Sequence, residues 1–387
     1  MKKTIKLAVV AALALGSTSA FATNGSNLMG LGAKARAMGG ATIGLSHGAE
    51  SGLANGALIT SVEGTEISFG GTLFMPDVST DGGSAGMMSD DSAADMNVIP
   101  EVSIAGKITD NFYAGVGMWG TAGMGVDYRD SANPGAMNMV TNLQLMQFGV
   151  PLAYKTGDLS VAVTPILQYG SLDMDFNADL TGTGAAPTHE AAGVSQDLAF
   201  GVNFGIAYEI NGLTLGAVYV SQIDMKYKGQ FVEDLSTPAT LGAGVSYKMN
   251  EHTIALDYKQ INWEDAKGYE DFGWQNQNVI AVGYEYQADG WAARLGYNYA
   301  ESPIEDAGYA GTMNNMFNLV GFPAITESHI SVGGSYDISK QTSVDLAYTY
   351  APEVTETFGI ATGPSSVSTV TTKHSQTGLT VQVNYNF

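Results

Sequence analysis

Apolar and polar residues alternate along most of the chain, in segments of about ten residues. In the last segment, LTVQVNYNF, one face carries Leu379, Val381, Val383, Tyr385 and Phe387, and Thr, Gln and Asn occupy the other. Period two is the spacing of a β-strand with two different faces, and Tyr, Val and Leu suit such strands. The pattern therefore predicts an all-β protein whose last strand runs to the final residue.

Short polar links alternate with longer stretches between these segments. Six short links have the composition of hairpin turns, at residues 109–111, 156–158, 211–212, 250–252, 288–290 and 339–341. Seven longer stretches contain Gly, Ser, Asp and Pro, near residues 75–97, 124–139, 174–196, 228–237, 264–273, 302–325 and 353–373. Six turns and seven loops connect fourteen strands.

The two faces of these strands differ in a way that favours a membrane barrel. One face carries Tyr, Leu, Val and Ile almost without charge, and the other is small or weakly polar, whereas a sheet facing water alternates apolar with charged residues. An even strand number with short turns on one side and long loops on the other is the plan of an outer-membrane barrel. We predict a 14-stranded antiparallel transmembrane β-barrel over residues 63–387, with both termini periplasmic. A secreted β-sandwich or a β-helical adhesin is the alternative.

The first 22 residues predict export from the cytoplasm. Lys2, Lys3 and Lys6 precede the apolar run LAVVAALALG, and Ala20 and Ala22 supply the small residues of a cleavage site. The run is too short to span a bilayer, which requires about 20 apolar residues. Residues 1–22 are therefore predicted to be a signal peptide, and the aromatic C-terminus is typical of the signal that the barrel-assembly machinery recognises.

Composition narrows the function further. Charged residues make up 14% of the chain, against about 25% in soluble domains, and 45% hydrophobic content excludes a disordered chain. There is no cysteine for a disulfide scaffold. With 16 Lys and Arg against 38 Asp and Glu the formal charge is −22, which repels phosphate backbones, so nucleic acid is not an expected partner.

Residues 23–62 do not alternate and are dense in Gly, Ala and Ser. That composition fits a compact irregular plug better than a strand. The lumen of a 14-stranded barrel is wide enough either to need filling or to conduct water. We therefore predict that this segment fills the lumen.

Here the chain resembles a known family. GLGAKARAMGGATIG, with Gly39 and Gly40, followed by LANGALI, with Asn55 and Ala57, is similar to the hatch signature of the FadL-type outer-membrane transporters of long-chain fatty acids and hydrocarbons. The likeness continues in STPATLGAGVSYKMNEHTIALDYKQINW, WAARLGYNYAESPI and ESHISVGGSYDISKQTSVDLAYTY, and so covers the mature chain. It differs at the end of the hatch, where the family usually has Asn-Pro-Ala and this chain has Gly56 in place of Pro. Its loops are also short, which puts an extended external capture site in doubt.

The resemblance implies a fourteen-stranded barrel plugged by an N-terminal hatch. Hydrophobic ligands would pass from outside through a pocket and leave sideways through a kink in the third strand. In this chain that strand is NFYAGVGMWGTAG, where Gly120 and Gly123 permit a bend and are the candidate lateral gate. Passive uptake needs no cofactor and no enzyme activity. The expected partners are hydrophobic small molecules and the lipid and lipopolysaccharide around a monomer.

Two groups of residues are candidates for binding the ligand. Apolar contacts are expected from the hatch and third strand, at Leu28, Met29, Leu31, Met38 and Trp119. A carboxylate head group would be received by a lumen cation, because a cation on the lipid face costs about 2–4 kcal/mol near the midplane. Alternation turns Arg294 inward and predicts the same for Lys226, Lys228 and Lys259, although pairing with lumen acids explains these cations as well.

Other motifs predict little chemistry. Gly30, Gly32 and Ala35 fit a dinucleotide fingerprint but do not follow a strand in a βαβ unit. The acidic run from Asp173 to Asp179 has calcium-loop spacing but lacks the required Gly and Glu, so alternation explains it better. The apolar phase slips by one near Gly170, which predicts a β-bulge.

The five histidines are scattered, and no catalytic constellation is found. A general porin, an adhesin on a barrel scaffold and an outer-membrane protease or phospholipase are the alternative functions.

Overall fold

The computed structural model describes residues 23–81, 90–132, 137–178, 188–191, 193–228, 232–363 and 365–387. The predicted signal peptide lies outside these residues, as does Asp179, the last residue of the acidic run. Fourteen long strands form the wall: β1 Thr65–Asp81, β2 Asn97–Lys107, β3 Phe112–Asp127, β4 Val140–Gly149 with Leu152–Thr156, β5 Leu159–Ala178, β6 Ser195–Ile210, β7 Leu213–Val220, β8 Thr240–Met249, β9 His252–Ile261, β10 Gln277–Ala288, β11 Trp291–Ala300, β12 Ser328–Asp337, β13 Thr342–Gly363 and β14 Ser366–Asn386.

Each strand pairs antiparallel with the next along the chain, and β14 pairs with β1 to close the barrel. The closing register runs from Thr371 opposite Asp81 to Asn386 opposite Glu66. All six predicted short turns lie between strands at one end, which we call the turn end, and the longer connections lie at the other, the loop end. The prediction of a 14-stranded antiparallel barrel is confirmed.

One predicted loop is wrong. Residues 353–373 are the outer part of the β13–β14 hairpin, which is paired as far as Gly363 opposite Ser366. This part is stable as a strand pair because Phe358, Ile360 and Val370 are buried in the apolar cluster at the loop end.

The predicted bulge near Gly170 is also wrong, and the structure has a bulge elsewhere. β5 pairs in unbroken register with β4 and β6 through Gly170. Leu172 and Phe176 therefore point into the lumen, where they join the apolar cluster at the loop end. The large apolar residues of β5 thus move from the lipid-facing side to the lumen-facing side of the strand while the pairing register stays the same. Register shifts lie instead in the third strand, between Gly120 and Ala122, and in β13, between Ala351 and Val354 and between Ala361 and Gly363.

The alternation matches burial along the strands. Large apolar side chains on the outer face are exposed, such as Phe200 (80%), Ile254 (59%) and Leu295 (56%), while small or polar residues between them are buried. Such an outer face suits lipid. In the part of the chain that the structure describes, no helix is both long and apolar enough to cross a membrane.

Residues 23–62, which we call the inner segment, lie inside the barrel and are largely buried. Regular structure is limited to short pieces: the strands Thr23–Asn24 and Asn27–Leu28, helices α1 Ala33–Ala37 and α2 Ser51–Ala54, and 3₁₀ turns Gly48–Glu50 and Gly56–Ser61. The segment begins beneath the loops, where Thr326 Oγ1 bonds the Thr23 carbonyl, and ends at the turn end. Phe387 also lies at the turn end. The first and last described residues, Thr23 and Phe387, therefore lie toward opposite ends of the barrel.

An apolar cluster closes the loop end. The connections 221–228 with 232–239, 262–276 and 301–327 fold inward over the inner segment, and the last contains the helix α3 Thr312–Met316 and a π turn Phe317–Gly321. At its centre the rings of Trp263, Tyr269 and Trp274 have centroids 4.6 to 4.9 Å apart. The lumen is therefore filled by the inner segment below and by loop residues above.

Candidate functional site

The inner segment is tied to the barrel wall by a buried carboxylate. Asp257 on β9 is 2% exposed, and its Oδ2 accepts the backbone N–H groups of Thr42 and Ile43 at 2.6 and 2.7 Å. Its Oδ1 accepts the N–H of Gly44 at 3.3 Å. Three donors on one charged acceptor fix the position of the chain that follows Gly40, because hydrogen bonds to charged groups are the stronger kind.

We expect Asp257→Ala to loosen this anchor. The three amides lose a charged acceptor, so hydrogen-exchange protection of residues 42–44 should fall by about tenfold to a hundredfold. Exchange measured by mass spectrometry on the purified barrel checks this. Asp337→Ala, an exposed carboxylate of the same lumen face, is the matched control, and equal protection in both variants would contradict the anchor.

The hatch signature is explained by close approach to β11. Gly39 and Gly40 have φ of 68° and 84°, and a Cβ on Gly39 would lie 2.6 Å from the backbone of Tyr297. The Asn298 amide donates to the Gly39 carbonyl at 2.9 Å. Only glycine allows both the left-handed backbone and this contact.

The second half of the signature also contacts the wall. The Asn55 Nδ2 donates to the carbonyls of Ile43 and Ile206, at 2.8 and 3.2 Å, and its Oδ1 accepts the N–H of Ala57. Ala57 is fully buried against Ala207. Asn55 therefore joins two parts of the inner segment to β6, although Gly occupies the position usual for Pro.

Charged pairs fill the space between α1 and the wall. Arg36 Nη2 lies 3.7 Å from Glu101 Oε2, which also accepts the Gly32 N–H at 2.8 Å, and Lys34 Nζ lies 3.7 Å from Asp345 Oδ2. Burial raises the pKa of Glu50 well above its usual range, and Lys34 offsets only part of that rise. Arg36 with Glu101 and Lys34 with Asp345 are therefore the charged contacts between α1 and the wall.

The barrel wall has a seam beside the third strand. Pairing between β2 and β3 ends at Glu101 opposite Trp119, although both strands continue toward the loop end. Beyond the bulge, Ala122 pairs with Asn27 of the inner segment, and the Gly123 N–H donates to the Ser26 carbonyl at 3.0 Å. Residues 122–126 are all buried, so this part of β3 is covered on its outer face as well as on its lumen face.

A cavity of about 150 Å³ lies between the inner segment and strands β3 to β9. Its lining from the inner segment includes Leu28, Met29, Leu31, Ile43 and Leu53. The wall contributes apolar and polar residues in equal number: Thr121, Gln147, Ile166, Val218, Val220, Thr237, Pro238, Thr240, Lys259 and Ile261. An apolar chamber with a few polar groups is the usual form of a small-molecule site.

The structure brings together four of the eight predicted ligand residues, namely Leu28, Met29, Leu31 and Lys259. Met38 is buried elsewhere, against Ala255 and Ala281. Trp119 lies behind the wall seam, beside a small void that Glu50 and Glu101 also line. Gly120 and Gly123, the predicted gate, flank the register shift in β3.

Arg294 and Lys226 do not reach the cavity. Arg294 faces the lumen as predicted, but at the turn end, where Nε donates to Glu285 at 2.7 Å and Nη1 to Ser335 at 2.6 Å. It lines a separate polar vestibule of about 640 Å³.

Lys226 and Lys228 do not face the lumen, contrary to the prediction. They are exposed on the short strand Lys226–Lys228 of a loop-end hairpin, where only Tyr227 between them is buried. The wall alternation could not be extended to them because β7 ends at Val220.

The alternation of apolar and polar residues did not predict most of the wall residues that line the cavity, although the sequence contains a pattern that marks some of them. Ile166, Val218, Val220 and Ile261 are apolar residues on the lumen-facing side of their strands, out of phase with the lipid face. Apolar residues on a polar face mark either a core or a pocket. Thr121 could not be found this way because the bulge puts it out of phase.

A family model described as "Outer membrane protein transport protein (OMPP1/FadL/TodX)" matches residues 7–260 and 235–387 of the chain. No curated protein matches this chain.

Several solved structures share the fold. The toluene transporter TodX of P. putida is 19% identical, with a TM-score of 0.69 over 93% of this chain and 99% of that one. A FadL homologue of Pseudomonas aeruginosa is 16% identical, with a TM-score of 0.74 over 94% and 100%. The Ralstonia pickettii toluene transporter TbuX is 16% identical, with a TM-score of 0.69 over 93% and 99%.

Proposed function

The chain belongs to the OMPP1/FadL/TodX family of outer membrane transport proteins, and on that premise we propose that it is a passive channel for small hydrophobic molecules. The ligand enters at the loop end, rests in the cavity between the inner segment and the wall, and leaves through the seam beside β3. Burial of apolar surface, at about 25 cal/mol per Å², draws it from water into the barrel. The turn end faces the periplasm.

The cavity carries this proposal, because its size and lining suit a small apolar ligand. A cavity of about 150 Å³ lined by Leu, Ile and Phe side chains binds benzene in an engineered protein. This one has the same volume, about 150 Å³, and Leu28, Leu31 and Ile166 line it. A single-ring hydrocarbon therefore fits the closed structure, whereas a long acyl chain requires the chamber to open. Both toluene transporters that share the fold are named for a single-ring ligand.

The exit lies next to the cavity but is closed. Leu28, which lines the cavity, packs with Phe74 and Ile99, and both wall residues are almost fully buried. Ile99 also covers Gly120, because a Cβ there would lie 2.5 Å from Ile99 Cγ2. Movement of Leu28 and Ile99 would join the cavity to the seam.

We expect Gly120→Val together with Gly123→Val to block this exit. The added side chains occupy the seam that Ile99 now covers and crowd the contact with Ser26. Toluene uptake into proteoliposomes should then fall close to that of protein-free vesicles. The heat-modifiable gel mobility of a folded barrel should be retained.

Ala114→Val is the matched control, since it adds bulk to the same strand before the bulge, where β3 is still paired with β2. Its uptake should equal that of the unmodified chain. Normal uptake by the folded double variant would rule out the seam as the exit.

Conductance separates this proposal from a general porin. The inner segment and the loop-end cluster fill the lumen, so the channel should pass few ions in planar bilayers while it transports toluene. Free ion conductance by the intact chain would favour the porin.

A further inference from the structure

Lys259 differs from the other cations of the barrel. Of the Lys and Arg residues in the described ranges that are not exposed, all except Lys259 have a carboxylate within 4 Å, namely Lys34, Arg36, Lys155, Lys267 and Arg294. Lys259 is half-buried, and no ion pair or hydrogen bond of its ammonium group is found among the described residues. The chain has 38 acidic residues, so an unpaired interior cation is not explained by a shortage of partners.

The nearest lumen carboxylate on its own strand is already engaged. Asp257, two residues away, is held by the N–H groups of Thr42, Ile43 and Gly44 on the inner segment. Lys259 lies one step closer to the loop end, where its β-carbon and the δ-methyl of Ile43 both lie against Gly242. Lys259 thus lines the cavity without a carboxylate in contact with its ammonium group. Burying an unpaired charge costs free energy, and a bound anion would reduce that cost.

Two other polar groups of the cavity, Gln147 and Thr237, already have hydrogen-bond partners. The Gln147 amide donates to Gln168 at 2.8 Å, and Gln168 donates to Thr237 at 2.8 Å, so these three groups satisfy one another. Thr121 Oγ1 is buried without a partner within the described part of the chain. Besides the Lys259 ammonium and the Thr121 hydroxyl, the side chains of Asn27, Thr42 and Thr240 line the chamber, and the rest of its lining is mainly aliphatic.

We propose that the cavity binds a single-ring aromatic acid, with the ring among Leu28, Leu31 and Ile166 and the carboxylate on Lys259. The charge of the lysine selects an anionic head group, and the volume of about 150 Å³ limits the body to about one ring. This inference rests on the proposed function and names its ligand class: acids are taken in addition to neutral hydrocarbons of the same size.

The experiment compares benzoate, its uncharged analogue benzamide, and toluene. Binding of each is measured by equilibrium dialysis on the mature chain in lipid nanodiscs, with palmitate as a fourth, longer ligand. The variants are Lys259→Met, which keeps the length and removes the charge, and Lys259→Arg, which keeps the charge. Lys248→Met, an exposed lysine on β8 that lines the turn-end vestibule, is the matched control.

We expect the unmodified chain to bind benzoate more tightly than benzamide. Lys259→Met should weaken benzoate binding by about tenfold or more and change toluene binding by less than about threefold. Lys259→Arg should keep most of the benzoate affinity, and Lys248→Met all of it.

Other results would overturn the inference. Equal loss of benzoate and toluene in Lys259→Met would show that Lys259 only shapes the chamber. Palmitate bound more tightly than benzoate would overturn the size limit. If toluene binds and benzoate does not, this inference fails while the proposed function stands, and if no ligand binds to the folded chain, the proposed function itself fails.

Discussion

Deleting residues 24–60 should turn a closed barrel into an open, ion-conducting one. The inner segment fills the lower lumen, and a 14-stranded barrel without it is wide enough to hold a column of water. Lumen groups that now contact the segment, such as Asp257, Asp345 and Gln382, would be hydrated, so the wall can stay folded. Planar-bilayer recordings should show steady conductance where the intact chain shows little, and toluene uptake should lose its selectivity over small polar solutes.

The folded state of the deletion variant is checked by heat-modifiable gel mobility. Gly39→Val tests the same idea without removing residues, because its Cβ would lie 2.6 Å from the backbone of Tyr297 and force the segment from the wall. We expect its conductance to lie between the two. Unchanged conductance in the folded deletion variant would mean that the connections 262–276 and 301–327 close the barrel without the inner segment.

Arg36→Met should cost about 3–5 kcal/mol of unfolding free energy, because it leaves the Glu101 carboxylate buried without its cation. Arg36 is 3% exposed and Glu101 4%, so water does not replace the lost partner. Glu101 would keep only the Gly32 N–H as a donor. Urea unfolding of the barrel in lipid vesicles measures the loss.

Removing both charges should restore most of this stability. In the double variant Arg36→Met with Glu101→Gln, no uncompensated carboxylate is left beside Gly32. Lys107→Met is the control for an exposed pair, since Lys107 lies 3.1 Å from Asp110 at the barrel surface and such pairs contribute about 1 kcal/mol or less. A loss below about 1 kcal/mol in Arg36→Met would show that the pair with Glu101 does not hold the inner segment.

The strand plan followed from the sequence because it depends on local chemistry. Period two arises from the pleat of a single strand, and hairpin turns need particular residues within a few positions of one another. These two signals predicted the strand number, the six turns and the lipid-facing side of strands such as β11, with Arg294 turned inward. Leu28, Met29 and Leu31 of the predicted hatch were expected to contact a ligand, and in the structure they line the cavity.

Only the tertiary structure decided whether a lumen cation has a carboxylate partner. Arg294 and Lys259 look alike in the alternation, yet Arg294 faces Glu285 directly across the β10–β11 pair, and Lys259 faces an apolar chamber. The acid that could neutralise Lys259 is held by residues 42–44, more than 200 positions earlier in the chain. No pattern within one strand contains that contact.

The seam in the wall also depends on distant residues. The glycines of β3 allowed the prediction of a bend in this strand. The position of the bulge, between Gly120 and Ala122, depends on a distant contact, because Ala122 pairs with Asn27 of the inner segment at a point where β3 is not paired with β2. The sequence alone determined the barrel, because backbone period and turn chemistry act over a few residues. The chamber, its unpaired lysine and the closed exit were decided by contacts across the lumen, which form only after the barrel closes around the inner segment.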